Sequence, residues 1–305
     1  MIVVDGNSIG FSATAANDLR AGLRQTGGAF GFLRSLREIR ESYPGEIYIA
    51  WDGRSWRYEA YADYKANRKV NPKLVEAKEN WAHQRKLVAR ALYYIGGINQ
   101  VFVPNWEADD IAAHIVRTTS SEVSLISGDK DWAQLVNPRV IWADPIRGRI
   151  ANMRNFGDVL SWKTPQELVW AKALEGDPSD NISGVGGIGE VGARWIFDHY
   201  GSPFRMSLDY HGAQIEESVW ASHPKKIRSL LEDKEKWARF ERNMALIDLN
   251  WIGIPPAKEY RVVKSHTRME EFVDFCGEYA FHSILRDPAA WLRPFETLNH
   301  ERIVA

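Results

Sequence analysis

The chain has a single cysteine, no long apolar run and no net charge to speak of, and each shortage removes a class of protein. Cys276 is the only cysteine in 305 residues, which excludes an internal disulfide and a cysteine-ligated zinc centre. Its simplest reading is a packed thiol. The eight histidines never fall at the spacing by which two imidazoles share an ion, so a histidine zinc site is not expected either. No stretch approaches the roughly 20 apolar residues that span a bilayer, and the chain enters MIVVDG without a basic region or cleavage motif. A soluble, cytoplasmic protein with no membrane partner is expected. Thirty-nine basic residues stand against 40 acidic ones, so the total charge argues neither for nor against nucleic acid; its distribution matters more. Repeats and low-complexity tracts are absent.

What is present is a large hydrophobic share, 45%, with 26% charged residues. That suits one large domain or two closely packed ones. In the first half, short apolar runs (2–4, 47–51, 100–103, 123–126 and 140–142) alternate with helical spacing at 30–41, 72–94 and 108–118. The alternation predicts a parallel sheet covered by helices on both faces. After about Thr164 the strand signals fade, and a domain transition is expected near residue 160.

A parallel sheet carries its functional groups beyond the carboxyl ends of its strands, and acids stand there. Asp5 follows the first run, Asp52 the second, and Asp129 and Asp131 the fourth. Glu107, Asp109 and Asp110 open the helix at 108, where capping accounts for one or two acids but not readily for three. Glu107 and Asp110 share a face, with Asp109 turned away. The spacing of Asp129 and Asp131 aims both carboxylates one way if the chain stays extended, although a turn uses such a pair equally well. Asp177 and Asp180, in GDPSDN, suit an ordinary Asp-Pro turn when taken alone. Together, these nine acids would concentrate more negative charge than stays ionised at close range without cations. All-oxygen ligands select Mg²⁺ or Mn²⁺ over zinc, and a pair of such ions suits phosphodiester hydrolysis.

Basic charge gathers between Tyr64 and Arg90: Lys65, Arg68, Lys69, Lys73, Lys78, Arg85, Lys86 and Arg90, against only Glu76 and Glu79. A solvated helix face accounts for such a run. Its place after Asp52, beside Arg57, Tyr61 and Tyr64, also suits phosphate contacts with a stacking surface for unpaired bases. Gly184 to Gly189 match a dinucleotide-binding pattern, but no strand precedes them and no first βα unit contains them, so that reading fails. A glycine turn leading into a helix at 191–199 offers backbone amides to a duplex phosphate; a purely structural helix-turn-helix is the other reading.

In this order, VDG at Asp5, WDG at Asp52, YKANR at Tyr64 to Arg68, EADD at Glu107 to Asp110, GDKD at Gly128 to Asp131, then KALEGDPSDN and GVGGIG resemble the 5′ nuclease family of bacteriophage flap endonucleases and the 5′-nuclease domain of bacterial DNA polymerase I. The resemblance implies an α/β fold: a PIN-like parallel-sheet nuclease domain over 1–160 with a helical arch at about 61–90. A helical helix-three-turn-helix DNA-binding region and C-terminal segment would follow over 161–305. It implies two Mg²⁺ (or Mn²⁺), with Asp5, Asp52, Glu107, Asp110 and Asp129 or Asp131 around the tighter ion. Asp177 and Asp180 with Asp131 would surround the second, and Asp109 would act mainly through water. Lys65 and Arg68 would steady the scissile phosphate, Tyr64 would guide substrate, and Lys172 would stand as the basic residue before the second acidic pair. Gly184, Val185 and Ile188 would give carbonyls to a K⁺, with Gly186, Gly187 and Gly189 against DNA. Ser183 stands where the family commonly has proline, which removes no ligand.

The expected activity is that of a monomeric, structure-specific 5′-3′ exonuclease and flap endonuclease in the cytoplasm of a bacterial or phage-infected cell. It would act on 5′-flap, gapped or nicked DNA and on RNA–DNA hybrids during replication and repair, alone or recruited by a replication protein, and leave a 5′-phosphate and a 3′-hydroxyl. Two other readings stand: a PIN-type single-strand ribonuclease, which explains the acids but not the glycine turn or the length, and a non-catalytic junction-binding protein, against which the intact acidic set argues. Residues after about 250 match nothing interpretable; that segment either folds back on the nuclease domain or recruits a partner. The thirteen tryptophans have no functional reading beyond core packing, as at Trp195 and Trp237.

Overall fold

The structure, a computed structural model, describes residues 1–69 and 72–296, apart from the side chains of residue 69 and residues 72–74. It divides into two compact units: Met1–Ser55, Asn71–Asn152 and Pro256–Ala305 form one, Trp56–Val70 and Met153–Pro255 the other.

The first unit is built on β1 (Ile2–Asp5), β2 (Ile47–Trp51), β3 (Ile98–Phe102), β4 (Val123–Ile126), β5 (Val140–Asp144), β6 (Arg149–Ala151) and β7 (Arg261–Lys264). The sheet runs β7-β3-β2-β1-β4-β5-β6. Its five central strands are parallel, and β6 and β7 close the edges antiparallel. All four residues of β1 are buried, as a strand enclosed by neighbours and covered on both faces requires. Strand order reverses at β1, where the crevice at the carboxyl ends of an α/β sheet lies.

Four helices cover the sheet: α1 (Gly6–Ala16), α2 (Gly27–Ser42), α3 (Pro72–Tyr93) and α4 (Ala108–Thr118). Of the range 61–90 expected to form an arch, only α3 belongs to this unit, and its apolar face is core: Trp81, Val88, Ala91 and Leu92 are buried with Phe32 and Leu36 of α2. Residues 75–79 of α3 are exposed. Gly10 of α1 lets Trp81 approach, since a Cβ there would lie 1.9 Å from the indole ring. Gly10→Ala should therefore destabilise the fold by about 1–3 kcal/mol through overpacking; an unchanged urea midpoint would show that the ring can yield.

The carboxy-terminal segment belongs to the first unit, which corrects the expected division at 160/161. β7 pairs with β3 from Arg261↔Phe102 to Lys264↔Asn99, and Ser265 Oγ donates to the Ile98 carbonyl at 2.7 Å. The helix Met269–Glu278 then adds Phe272, Phe275 and Cys276 to the core. The physical reason is that β3 would otherwise present an open edge and α2 an uncovered apolar face. Burial pushes the Cys276 thiol up to about 12, as suits a packed, unreactive cysteine.

In the second unit, a short helix, Arg57–Ala60, and a 3₁₀ turn, Ala66–Lys69, accompany α5 (Pro165–Glu175), α6 (Glu190–Tyr200) and further helices to Ile247. The Thr164 hydroxyl caps α5 by accepting from the Glu167 N–H at 3.1 Å, with Pro165 in the first turn, a strong local start signal. Between α5 and α6, Gly176–Asp177 pairs antiparallel with Ile182–Ser183. A two-residue strand does precede the glycine turn, contrary to expectation. It is half of a hairpin and not a parallel βα unit, so the dinucleotide reading still fails.

Candidate active site

In the first unit, Asp5 ends β1 and caps α1: its Oδ1 accepts from the Ser8 N–H at 2.8 Å, and its Oδ2 from the Ser127 hydroxyl at 2.7 Å. Burial first, then repulsion from Asp52 and Asp129, push its carboxyl up to about 7. Asp52, one residue past β2, accepts from the Ala108 N–H at 2.8 Å and from the Asn7 amide. The Glu107 N–H donates to Asp110 at 3.0 Å in a capping box at the start of α4. Ser55 donates to Glu107 at 3.0 Å, and the Trp132 indole donates to Asp109 at 2.6 Å. Asp109 is thus turned from Glu107 and Asp110, as expected.

Asp129 is extended, but the chain does not stay extended through Asp131. Asp129 caps the 3₁₀ turn Lys130–Leu135 by accepting from the Asp131 N–H at 2.9 Å, which corrects the parallel-carboxylate expectation. The Asp129 N–H donates to Ser127 Oγ at 3.0 Å, so Ser127 links Asp129 to Asp5. The Trp142 indole donates to the Asp129 carbonyl at 3.1 Å. On β5, burial raises the Asp144 carboxyl, but hydrogen bonds from Arg149 and Arg147 outweigh it and hold the group low. Arg147 also donates to the Gly128 carbonyl at 3.2 Å, fastening the GDKD loop.

As they stand, no three carboxylates, imidazoles or thiols among the described residues form a ready ion cage. The donor chemistry nonetheless fits a hard cation. It is all oxygen, and the repulsion that Asp52 and Asp129 place on Asp5 is what a divalent ion relieves.

In the second unit, Asp180 receives Tyr64 OH at 3.0 Å and Arg68 Nη2 at 2.7 Å, with Lys65 Nζ at 3.7 Å. Lys172 lies 2.7 Å from Asp177. Burial raises the Asp177 carboxyl, but Lys172 and Ser179 more than offset it and hold the group below the usual range. Tyr64 is 3% exposed and Arg57 2%; Arg57 donates to the Leu246 carbonyl at 2.7 Å. Neither is the open stacking or phosphate surface expected of it, because each side chain completes this unit's own hydrogen bonds.

In the first unit, Arg85 donates to the Asp52 carbonyl at 3.3 Å, and Arg90 pairs with Glu278 at 3.0 Å. Lys78 and Lys86 are exposed on α3. The side chains of Lys69 and Lys73 lie outside the described residues.

The glycine turn is open. Gly186 and Gly187 have φ of 88° and 83°, which favour glycine. A Cβ at Gly186 or Gly189 would meet nothing within 4 Å, and at Gly187 only the Lys226 side chain, 3.6 Å away. Val185 and Ile188 are buried, and Arg239 donates to the Gly184 carbonyl at 3.4 Å. Lys226, outside every motif, went unread in the sequence.

The profile of the 5′-3′ exonuclease, N-terminal resolvase-like domain family matches residues 1–159. DNA polymerase I of Chloroflexus aurantiacus is 33% identical over 270 residues, covering 81% of this chain and 26% of that protein. DNA polymerase I of Synechocystis sp. is 34% identical over 222 residues, covering 66% and 22%. The chain thus spans about a quarter of the length of these relatives. Among solved structures, T5 5′-exonuclease with bound divalent metal ions (zinc) superposes with a TM-score of 0.66 at 20% identity, covering 97% of each chain. The catalytic core of Rad2 with DNA substrate gives 0.56 at 12%, covering 96% of this chain and 91% of that one. With half its length matched by the profile, and with acids at the strand ends of a resolvase-like sheet, the chain belongs to the 5′-3′ exonuclease family and is a nuclease.

Proposed function

We propose that this nuclease hydrolyses DNA phosphodiesters from the 5′ side at flaps, gaps and nicks, using divalent ions, Mg²⁺ or Mn²⁺. The observation that carries the reading is Asp5, buried at the switch point of the sheet and raised to about 7 by burial and by repulsion from Asp52 and Asp129. Asp5, Asp52, Glu107, Asp110 and Asp129 hold one ion, with Asp109 and Asp131 beside them. Asp177 and Asp180 hold a second. When bound, such ions activate water and stabilise the leaving oxygen of an in-line displacement.

The protein's own groups do the rest. Lys65 and Arg68 carry charge that steadies the scissile phosphate, and Lys172 sets the orientation of Asp177. The amides of Gly186, Gly187 and Gly189 take a duplex phosphate at the start of α6, where helix polarity favours an anion, and the carbonyls of Gly184, Val185 and Ile188 take a K⁺. These contacts go to backbone, so shape and not base sequence is read. That metal-containing T5 5′-exonuclease and DNA-bound Rad2 share the fold supports both ligands.

The test is a panel of 5′-flap, nicked, blunt and single-stranded DNA, with an RNA–DNA hybrid and single-stranded RNA, in Mg²⁺ and in EDTA. Cleavage in Mg²⁺ at the flap junction, yielding 5′-phosphate ends, is expected. Cutting confined to single-stranded RNA, or binding without cutting, would replace this reading. Separately, Lys226→Ala should weaken duplex binding in EDTA and reduce the slope of log affinity against log salt by about 1. Fluorescence anisotropy across a salt series measures this, and an unchanged slope would remove Lys226 from the interface.

A further inference from the structure

Asp52 is gripped from α3 through a neighbour that is not itself acidic. Asn7 is the second residue of α1, and its Nδ2 donates to Asp52 Oδ2. The Trp81 indole of α3 donates to Asn7 Oδ1 at 3.0 Å. Indole is a donor and never an acceptor. Trp81 therefore fixes which way the Asn7 amide faces: with its oxygen committed to the indole, its NH₂ must meet Asp52. The ring itself is 3% exposed, wedged against Gly10, stacked on Phe32 and tilted against Trp51, so it has little freedom to turn. One helical turn later on α3, Arg85 donates to the Asp52 backbone carbonyl at 3.3 Å and lies over the Trp51 ring at 5.0 Å. Main chain and carboxylate of Asp52 are thus both braced from the same helix.

We propose that Asn7 and Trp81 are positioning residues for Asp52, acting in series, and that they set its readiness to take a divalent ion. The inference rests on the metal-dependent reading above. Neither residue touches substrate or ion; each works by holding a carboxylate in one orientation, as the outer partners of metal ligands do. Two tryptophans in the same unit brace acidic residues in a similar way, Trp132 at Asp109 and Trp142 at the Asp129 carbonyl, which gives part of the chain's high tryptophan content a local use.

The test is Mn²⁺ binding to the full chain without DNA, followed by electron paramagnetic resonance, for wild type, Asn7→Ala, Trp81→Phe and the double variant, with circular dichroism on each. Asn7→Ala should weaken Mn²⁺ binding about tenfold. Trp81→Phe, which removes the N–H and keeps a ring, should weaken it by a smaller factor. The double variant should equal Asn7→Ala, because an indole acting through Asn7 has nothing left to orient. Additive losses, or Mn²⁺ affinity unchanged in folded Asn7→Ala, would overturn the proposal. A wild type that binds no Mn²⁺ would instead refute the metal-dependent reading itself. If Asn7→Ala fails to fold, Asn7→Ser, which keeps a donor of shorter reach, gives the same comparison; binding equal to wild type there counts against the relay.

Discussion

Asp5→Asn should make the metal-free protein more stable at pH 8 while reducing its response to Mg²⁺. The Asp5 carboxyl rises from an ordinary value of 3.8 to about 7 in the fold. Between those values the folded chain holds a proton that the unfolded chain has lost, so Asp5 contributes stability that fades as pH rises through about 7. His114 and His223 are both lowered by burial, so stability rises with pH as each passes its folded value. The difference between variant and wild type isolates Asp5. Asparagine carries no charge to repel Asp52 and Asp129. The melting temperature of Asp5→Asn should exceed that of wild type by an amount that grows from pH 5 to pH 8, each kcal/mol being worth about 2–4 °C in a large domain. Added Mg²⁺ at pH 8 should raise the wild type more than the variant, which keeps the second pair, Asp177 and Asp180, intact. A difference that stays flat with pH, or a variant that responds to Mg²⁺ as wild type does, would show that Asp5 is neither strained by its neighbours nor a ligand.

Arg68→Ala should slow the chemical step about 100-fold, the scale of loss when one donor to developing charge is removed. Arg68 and Lys65 meet at Asp180 with the Tyr64 hydroxyl, so the guanidinium is held in place before substrate arrives. A preplaced cation stabilises charge that develops in the reaction at no further ordering cost. Single-turnover cleavage of a flap substrate, with DNA affinity measured alongside in EDTA, separates the two effects. The expected result is a large fall in rate with affinity within a few-fold of wild type. Equal losses in rate and affinity would make Arg68 a docking residue.

Much of the fold was legible because local signals agreed with tertiary demands. β2, β4 and α4 were read at their observed limits: the strands are uninterrupted apolar runs, and the helix opens on acids that its own terminus favours. β7 was missed because its four residues, Arg261–Lys264, are exposed and show no inward-outward alternation; only the open edge of β3 makes them a strand. The helix at 269–278 did carry Phe272, Phe275 and Cys276 at helical spacing, but the sequence does not say which face they cover. The acids were found because each follows a strand or starts a helix. Asn7 and Ser127 were not, since their roles exist only across separations of 45 and 122 residues. Tyr64 was misplaced for the converse reason: an aromatic in a basic stretch suits a stacking surface until the fold buries it against Asp180.

The most direct test is single-turnover cleavage of a 5′-end-labelled flap by wild type and Asp129→Asn in Mg²⁺ and in EDTA, with binding of the same flap measured in EDTA. Cutting at the junction by wild type in Mg²⁺ alone, lost by at least about 1,000-fold in the variant while binding persists, is the expected result. Cutting that survives either EDTA or the substitution would contradict the assignment of these carboxylates as the metal-holding centre of the nuclease.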